Sequence, residues 1–285
     1  MAFVSFLAEG RATYGIARPD GVFDLGRRLG AALPDLRSFL TVLRGSGLDV
    51  RIATPKTTDY ANGQFTYLPI IPNPSKVLCV GLNYEDHRVE TGRKKADHPT
   101  IFTRFADTLT GHQTPMLLPT NSTSFDYEGE LAVIIGQHGH HVSEADALSL
   151  VAGYSVFNDG SIRDWQRHTN QFTPGKNFPR TAGFGPALIT PEEAGPLAEK
   201  SLQTHLNGQL VQSSHLGDMT FSIAQIIAYI TAFTPLAPGD VIATGTPGGV
   251  GFMREPPLFM RPGDTVTITI EGIGTLTNTI ESAGI

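Results

Sequence analysis

The chain has 285 residues, enough to bury a sizeable core in one large domain, with room for a small companion. Lys and Arg number 21 against 27 Asp and Glu, and the net charge of −6 argues against a general nucleic-acid binder. With 40% hydrophobic and 17% charged residues the composition is not that of a disordered chain. Polar residues break every apolar run before about 18, so no membrane span is expected, and no secretion signal is evident at the start. The single cysteine, Cys79, allows neither an intrachain disulfide nor a thiolate metal cage, and suggests a reducing, cytoplasmic location. Gly and Pro, 31 and 20, without a repeat, suggest many turns and short strands.

FVSFLA, ATYGIA and GVFDL read as short strands separated by Glu9-Gly10 and Asp20-Gly21. Helical material follows from Leu25, broken at Pro34, with Asp35 as cap of a second helix ending at Gly45 or Gly47. Pro69, Pro72 and Pro74 resist both helix and central strand, so a small α+β N-terminal domain is placed at 1–70 and a larger one at 71–285. KVLCVG, PTIFTRF, ELAVIIG and GYSVFN are strand candidates, and Ser143 caps a helix running to Leu150. Asn207-Gly208 marks a hairpin within Leu202 to Ser213. Ser222 and Gln225 form a capping box ahead of a helix that puts Ile223, Ile226, Ile227 and Ile230 on one face. In DTVTITIEGIGTLTNTI, apolar residues alternate with threonines as in a strand with one buried face. The expected fold class is mixed α/β, mainly β, in a closed or rolled form. No GxGxxG follows a strand and no GxxxxGK[ST] occurs, so no nucleotide fingerprint is present.

FDYEGELAVIIG places Glu128 and Glu130 on the same side of a strand that runs into apolar residues. Either the pair stands in water on an edge strand, or it enters a core and needs a compensating charge. Asp159 is either an ordinary turn residue at the end of GYSVFN or a third carboxylate held in place. Three carboxylates without cysteine select a hard ion, Mg²⁺ or else Mn²⁺ or Ca²⁺. HGHH at 138–141 reads as a polar turn. His87 and Glu90, three apart, are either a surface ion pair or a base whose tautomer the glutamate fixes. Arg88, Arg93, Lys94 and Lys95 form solvated surface or a lid over an anionic substrate. Arg104 and Lys176 are isolated cations suited to a carboxylate or an oxyanion, or else surface residues. Gln166 is a candidate substrate contact and Trp165 a packing residue. Thr244 and Thr246, among glycines, can form a carboxylate nest or a plain turn.

In order along the chain, KVLCVGLNYEDHRVE, FDYEGELAVIIG, GYSVFNDGSIRDWQ, PGKNF, LNGQLVQ, GDVIATGTPGGVG and GDTVTITIEGIGTL resemble the fumarylacetoacetate hydrolase (FAH) family over roughly residues 70 to 280. The sequence looks like a bacterial-type member with a small N-terminal domain. The resemblance implies an FAH-type mixed β-roll, or β-sandwich-like, catalytic domain and a homodimer. It implies that Glu128, Glu130 and Asp159 hold a divalent metal, Mg²⁺ first. It makes His87 and Glu90 a water-activating dyad, with Lys176 polarising substrate and Thr246 contacting its carboxylate. Many members carry lysine where this chain has Arg104, a substrate-binding position in this reading, and the two cations are not equivalent. The implied activity is metal-dependent hydrolysis of a C–C bond in 3-acylpyruvate-type 2-oxo acids. Alternatives are a metal-dependent decarboxylase or isomerase of oxaloacetate-like or 2-hydroxyhepta-2,4-diene-1,7-dioate-like acids and, more remotely, a non-catalytic binding protein.

Overall fold

The computed structural model describes residues 1–43 and 57–284. It is mixed α/β and mainly β, as the strand-rich sequence predicts. The main sheet runs, in spatial order, through Ala182–Ile189, Val151–Asn158, Gly129–Ile135, Val241–Ala243, Val77–Gly81 and Thr100–Arg104. The N-terminal strands Ala2–Ala8, Arg11–Arg18 and Gly21–Asp24 extend its other edge, where Phe3 pairs with Leu188. A five-stranded sheet built on the hairpin Ser201–Leu206/Gln209–His215 packs against the main one. Among the described residues no helix is long and apolar enough to cross a membrane.

Gly129–Ile135 is buried along its whole length, with apolar side chains on both faces. Ala132 and Ile134 face a core shared with Phe3, Leu36 and Phe39, whereas Leu131, Val133 and Ile135 meet Ile226, Ile227, Ile230, Ile268 and Ile270. A strand covered on both faces reads as a continuous apolar run rather than an alternation. Glutamates at its entry therefore lie inside the protein, not on an exposed edge.

Local signals act where they are written. Ser222 accepts from Gln225 N–H in a complete capping box, and the helix Ile223–Phe233 buries the four predicted isoleucines. Ser143 caps Glu144–Ala147, which tightens into a 3₁₀ turn through Leu150. Asn207 and Gly208 both take positive φ, 52° and 79°, as a two-residue hairpin turn requires. Asp35 caps Leu36–Leu43 through Ser38 N–H at 2.7 Å, while the expected end at Gly45 or Gly47 lies outside the described residues. The alternating C-terminal segment is not one strand. Thr265–Ile270 and Gly274–Ser282 fold back on each other around Gly272, whose φ of 68° reverses the chain.

Gly129 lets the two sheets close. A Cβ there would sit 2.3 Å from Thr204 Oγ1 and 3.2 Å from Ile268 Cγ2, both on the second sheet. Gly129→Ala is expected to destabilise the fold by about 1–3 kcal/mol, the usual cost of overpacking, measured by urea denaturation.

His112 links Tyr67 to the second sheet. Its ring meets Tyr67 edge-on at 4.9 Å, and its Nδ1 accepts from Thr277 N–H at 3.1 Å. Burial lowers its pKa from 6.5 to about 4. Within that window the unfolded chain binds a proton that the folded chain refuses, so stability falls as pH drops from about 6.5 towards 4. Denaturation midpoints across this range are expected to fall less steeply in His112→Asn than in the parent.

Candidate active site

Alternate residues Asp126, Glu128 and Glu130, leading from the short strand Phe125–Asp126 into the acidic strand Gly129–Ile135, are all buried. Asp159 joins them from the end of Val151–Asn158, and its N–H donates to Glu128 O at 2.9 Å. Glu128, Glu130 and Asp159 are 5%, 2% and 0% exposed and each offers an oxygen within 4.8 Å of the others. The sequence-predicted carboxylates, 31 residues apart at the extremes, therefore converge.

Buried carboxylates need cations. Lys176 Nζ, from the short helix Thr173–Lys176, lies 2.5 Å from both Glu128 Oε2 and Asp159 Oδ2. Arg163 Nη2 lies 2.6 Å from Glu128 Oε1, and its Nε donates to Asp126 Oδ2 at 2.8 Å. Burial opposes ionisation of Glu128, but Arg163, Lys176 and His87 outweigh it and hold the carboxyl well below its usual range. Glu130 differs. No cation among the described residues pairs with it, and its hydrogen bond comes from Gly245 N–H at 2.8 Å. Burial, reinforced by Asp159 and Glu128, pushes its pKa well above the usual value. A hard dication at this cluster would supply the charge that Glu130 lacks, so the donor set fits such an ion.

Arg104 lies among protein partners in this structure. It is buried behind Asp159 and does not line the cavity. Its Nη1 donates to Asp159 Oδ1 at 2.6 Å and Gly160 O at 3.1 Å, its Nη2 to Thr181 Oγ1 at 2.8 Å, and its Nε to Thr108 Oγ1 at 3.3 Å. A guanidinium with this many separated donors can brace a carboxylate and two hydroxyls at once, as an ammonium cannot.

A cavity of about 390 Å³ opens over the cluster, at the small end of the usual 300–1,000 Å³ range for small-molecule pockets. His87 lines it; Glu90, one turn along the helix Glu85–Glu90, stands behind. His87 Nδ1 is 2.8 Å from Glu90 Oε1. An ionised carboxylate only accepts, so in the neutral ring the proton sits on Nδ1 and Nε2 is left as the base. Gly249 N–H donates to Glu90 Oε2 at 2.9 Å and fixes the glutamate in turn. Gln166 and Thr246 also line the cavity. Gln166 Oε1 accepts from Arg163, and Thr246 Oγ1 donates to Gly129 O and accepts from Gln212 Nε2. Thr244, by contrast, is absent from the lining and donates to Leu131 O.

The sequence reading overlooked Asp126 as a site residue, although it stands two residues before Glu128, at the end of the short strand Phe125–Asp126. It also gave Arg163 no role. Phe102, Phe172, Phe252 and Arg167 complete the walls and were visible only as generic apolar or charged residues.

Residues 76–281 match the fumarylacetoacetate (FAA) hydrolase C-terminal family. The chain belongs to this family. It is 36% identical to human oxaloacetate tautomerase FAHD2A, mitochondrial, over 96% of the chain and 78% of that protein. The fumarylacetoacetate hydrolase (EaFAH) from psychrophilic Exiguobacterium antarcticum superposes with a TM-score of 0.86 at 33% identity, covering 99% of this chain and all of that one. The 2-hydroxyhepta-2,4-diene-1,7-dioate isomerase from Mycobacterium marinum superposes with a TM-score of 0.74 at 31% identity, with both chains fully covered. Human and bacterial relatives stand at similar distances, so membership extends to the superfamily and not to a bacterial-type subfamily. The cytoplasmic expectation is overturned by the mitochondrial names of the sequence relatives. A single buried thiol can form no intrachain disulfide in any compartment, so it does not distinguish one location from another.

Glu130→Gln keeps the shape and removes the uncompensated charge. We expect its metal-free form to be at least as stable as the parent. Saturating Mg²⁺ or Mn²⁺, at 100 times the dissociation constant, should stabilise the parent by about 2.7 kcal/mol and the variant by much less, as read by thermal melts.

Proposed function

We propose that the protein is a divalent-metal-dependent tautomerase of an oxaloacetate-like 2-oxo acid, interconverting its keto and enol forms with Mg²⁺ as the resident ion. The observation that carries this reading is the His87–Glu90 pair, which presents an imidazole base to the cavity that holds the carboxylate cluster. Glu128, Glu130 and Asp159 would hold the ion, which when bound supplies Lewis-acid stabilisation of an enolate oxygen.

The chain's own groups perform the proton transfer. His87 Nε2 removes a proton from the carbon beside the oxo group, and the imidazolium returns it to the oxygen; the reverse transfer restores the ketone. Glu90 holds the ring in the required tautomer and steadies its charged form. Lys176, buried against Glu128 and Asp159, fixes the two carboxylates and places positive charge where an enolate develops. No water need be consumed and no carbon–carbon bond breaks.

The names of the human relative and of the M. marinum isomerase support proton transfer over the C–C hydrolysis that the family name suggests. The same base can activate a water, and the likeness to EaFAH favours that second reading. The two separate experimentally. With Mg²⁺ present, the protein should accelerate loss of the enol absorbance of oxaloacetate and deuterium exchange at its C3. His87→Gln should lower that rate by about 10²–10⁴-fold while metal binding persists. Rapid cleavage of a 3-acylpyruvate to pyruvate, without catalysed exchange on oxaloacetate, would instead establish the hydrolase.

A further inference from the structure

The cavity has two ends of different character. At its buried end every cation is already matched to protein. Arg163 serves Asp126 and Glu128, Lys176 serves Glu128 and Asp159, and Arg104, behind the cavity wall, serves Asp159. None can turn to a second charge on a bound acid without leaving a buried carboxylate uncompensated. At the exposed mouth, two further guanidinium groups line the cavity, those of Arg93 and Arg167. Neither side chain pairs with a carboxylate among the described residues.

Arg167 rests against an aromatic ring. Its guanidinium carbon lies 4.5 Å from the centre of the Phe252 ring, which also carries Arg163 at 4.2 Å. Stacking uses the flat face of a guanidinium and leaves the N–H donors at its edge free. Such an edge accepts a carboxylate through two parallel hydrogen bonds. Phe102 and Phe172, packed edge to face at 5.5 Å, give the same cavity an apolar wall that suits a short carbon chain.

We propose that Arg167, seated on Phe252 and assisted by Arg93, receives the distal carboxylate of a 2-oxo diacid and sets a preference for diacids over monoacids. The proposal rests on the 2-oxo acid reading above and assigns the residues that recognise the second acid group. An acid anchored at the buried cluster by its 2-oxo carboxylate has only the mouth towards which to extend. There it meets the two guanidinium groups that the protein has left unpaired.

The test compares 2-oxoglutarate with 2-oxopentanoate, equal in carbon number and differing in the distal carboxylate, by calorimetric titration of the full-length, Mg²⁺-loaded protein. The parent should bind the diacid about ten- to a hundredfold tighter, the value of a charge-assisted contact. Arg167→Gln should remove most of that gap, and Arg167→Lys should restore part of it. With oxaloacetate, Arg167→Gln should raise KM far more than it lowers kcat. Equal affinities in the parent, or a gap that survives Arg167→Gln, would overturn the proposal. A gap that disappears in Arg167→Gln, in a protein without proton-exchange activity, would support the anion site and remove the tautomerase reading.

Discussion

The site depends on a balance of charge inside the protein. Asp126, Glu128, Glu130 and Asp159 are all buried, and so are Arg104, Arg163 and Lys176. Removing either partner from a buried pair costs about 3–5 kcal/mol, because the survivor is left uncompensated. The paired members therefore constrain one another. Glu130 is the exception, buried without a cation, and its position makes the cluster receptive to a divalent ion. Strain of this kind, left open at one position and relieved at the others, marks a functional site better than any single carboxylate does.

The fold keeps that arrangement rigid. Gln212, on the second sheet, accepts from Gly129 N–H and donates to Thr246 Oγ1 and Pro247 O. One side chain thus joins the second sheet, the acidic strand and the glycine-rich segment that lines the cavity. Gly249 in that segment orients Glu90, and Gly245 supplies the hydrogen bond to Glu130. Base and carboxylates are consequently referred to one backbone segment. This matters for proton transfer, whose rate falls steeply when donor and acceptor are misplaced.

Membership of the family does not by itself choose a reaction. Proteins named as a hydrolase and as an isomerase share this architecture at about one-third identity to the chain. A base beside an ion-stabilised enolate serves both chemistries. The choice lies in what the rest of the cavity admits and neutralises, which is why the walls and mouth carry as much information as the carboxylates.

Several features were legible in the residues alone. The capping box at Ser222, the Asn207-Gly208 turn and the shared face of Glu128 and Glu130 follow from backbone periodicity and hydrogen bonds within a few residues. The three carboxylates and the His87–Glu90 pair stood out as candidates by residue type and spacing, and the structure brings the carboxylates within 4.8 Å of one another and His87 Nδ1 to 2.8 Å from Glu90. The role of Arg104 was not legible: it depends on Asp159, 55 residues away, and on Thr181, 77 residues away. Likewise, periodicity described the alternation of the C-terminal segment but not its reversal at Gly272. Local pattern named the candidate groups. The tertiary structure alone decided which cations are spent on protein carboxylates and which remain for a ligand, because charge compensation acts through space between residues whose separation along the chain carries no signal.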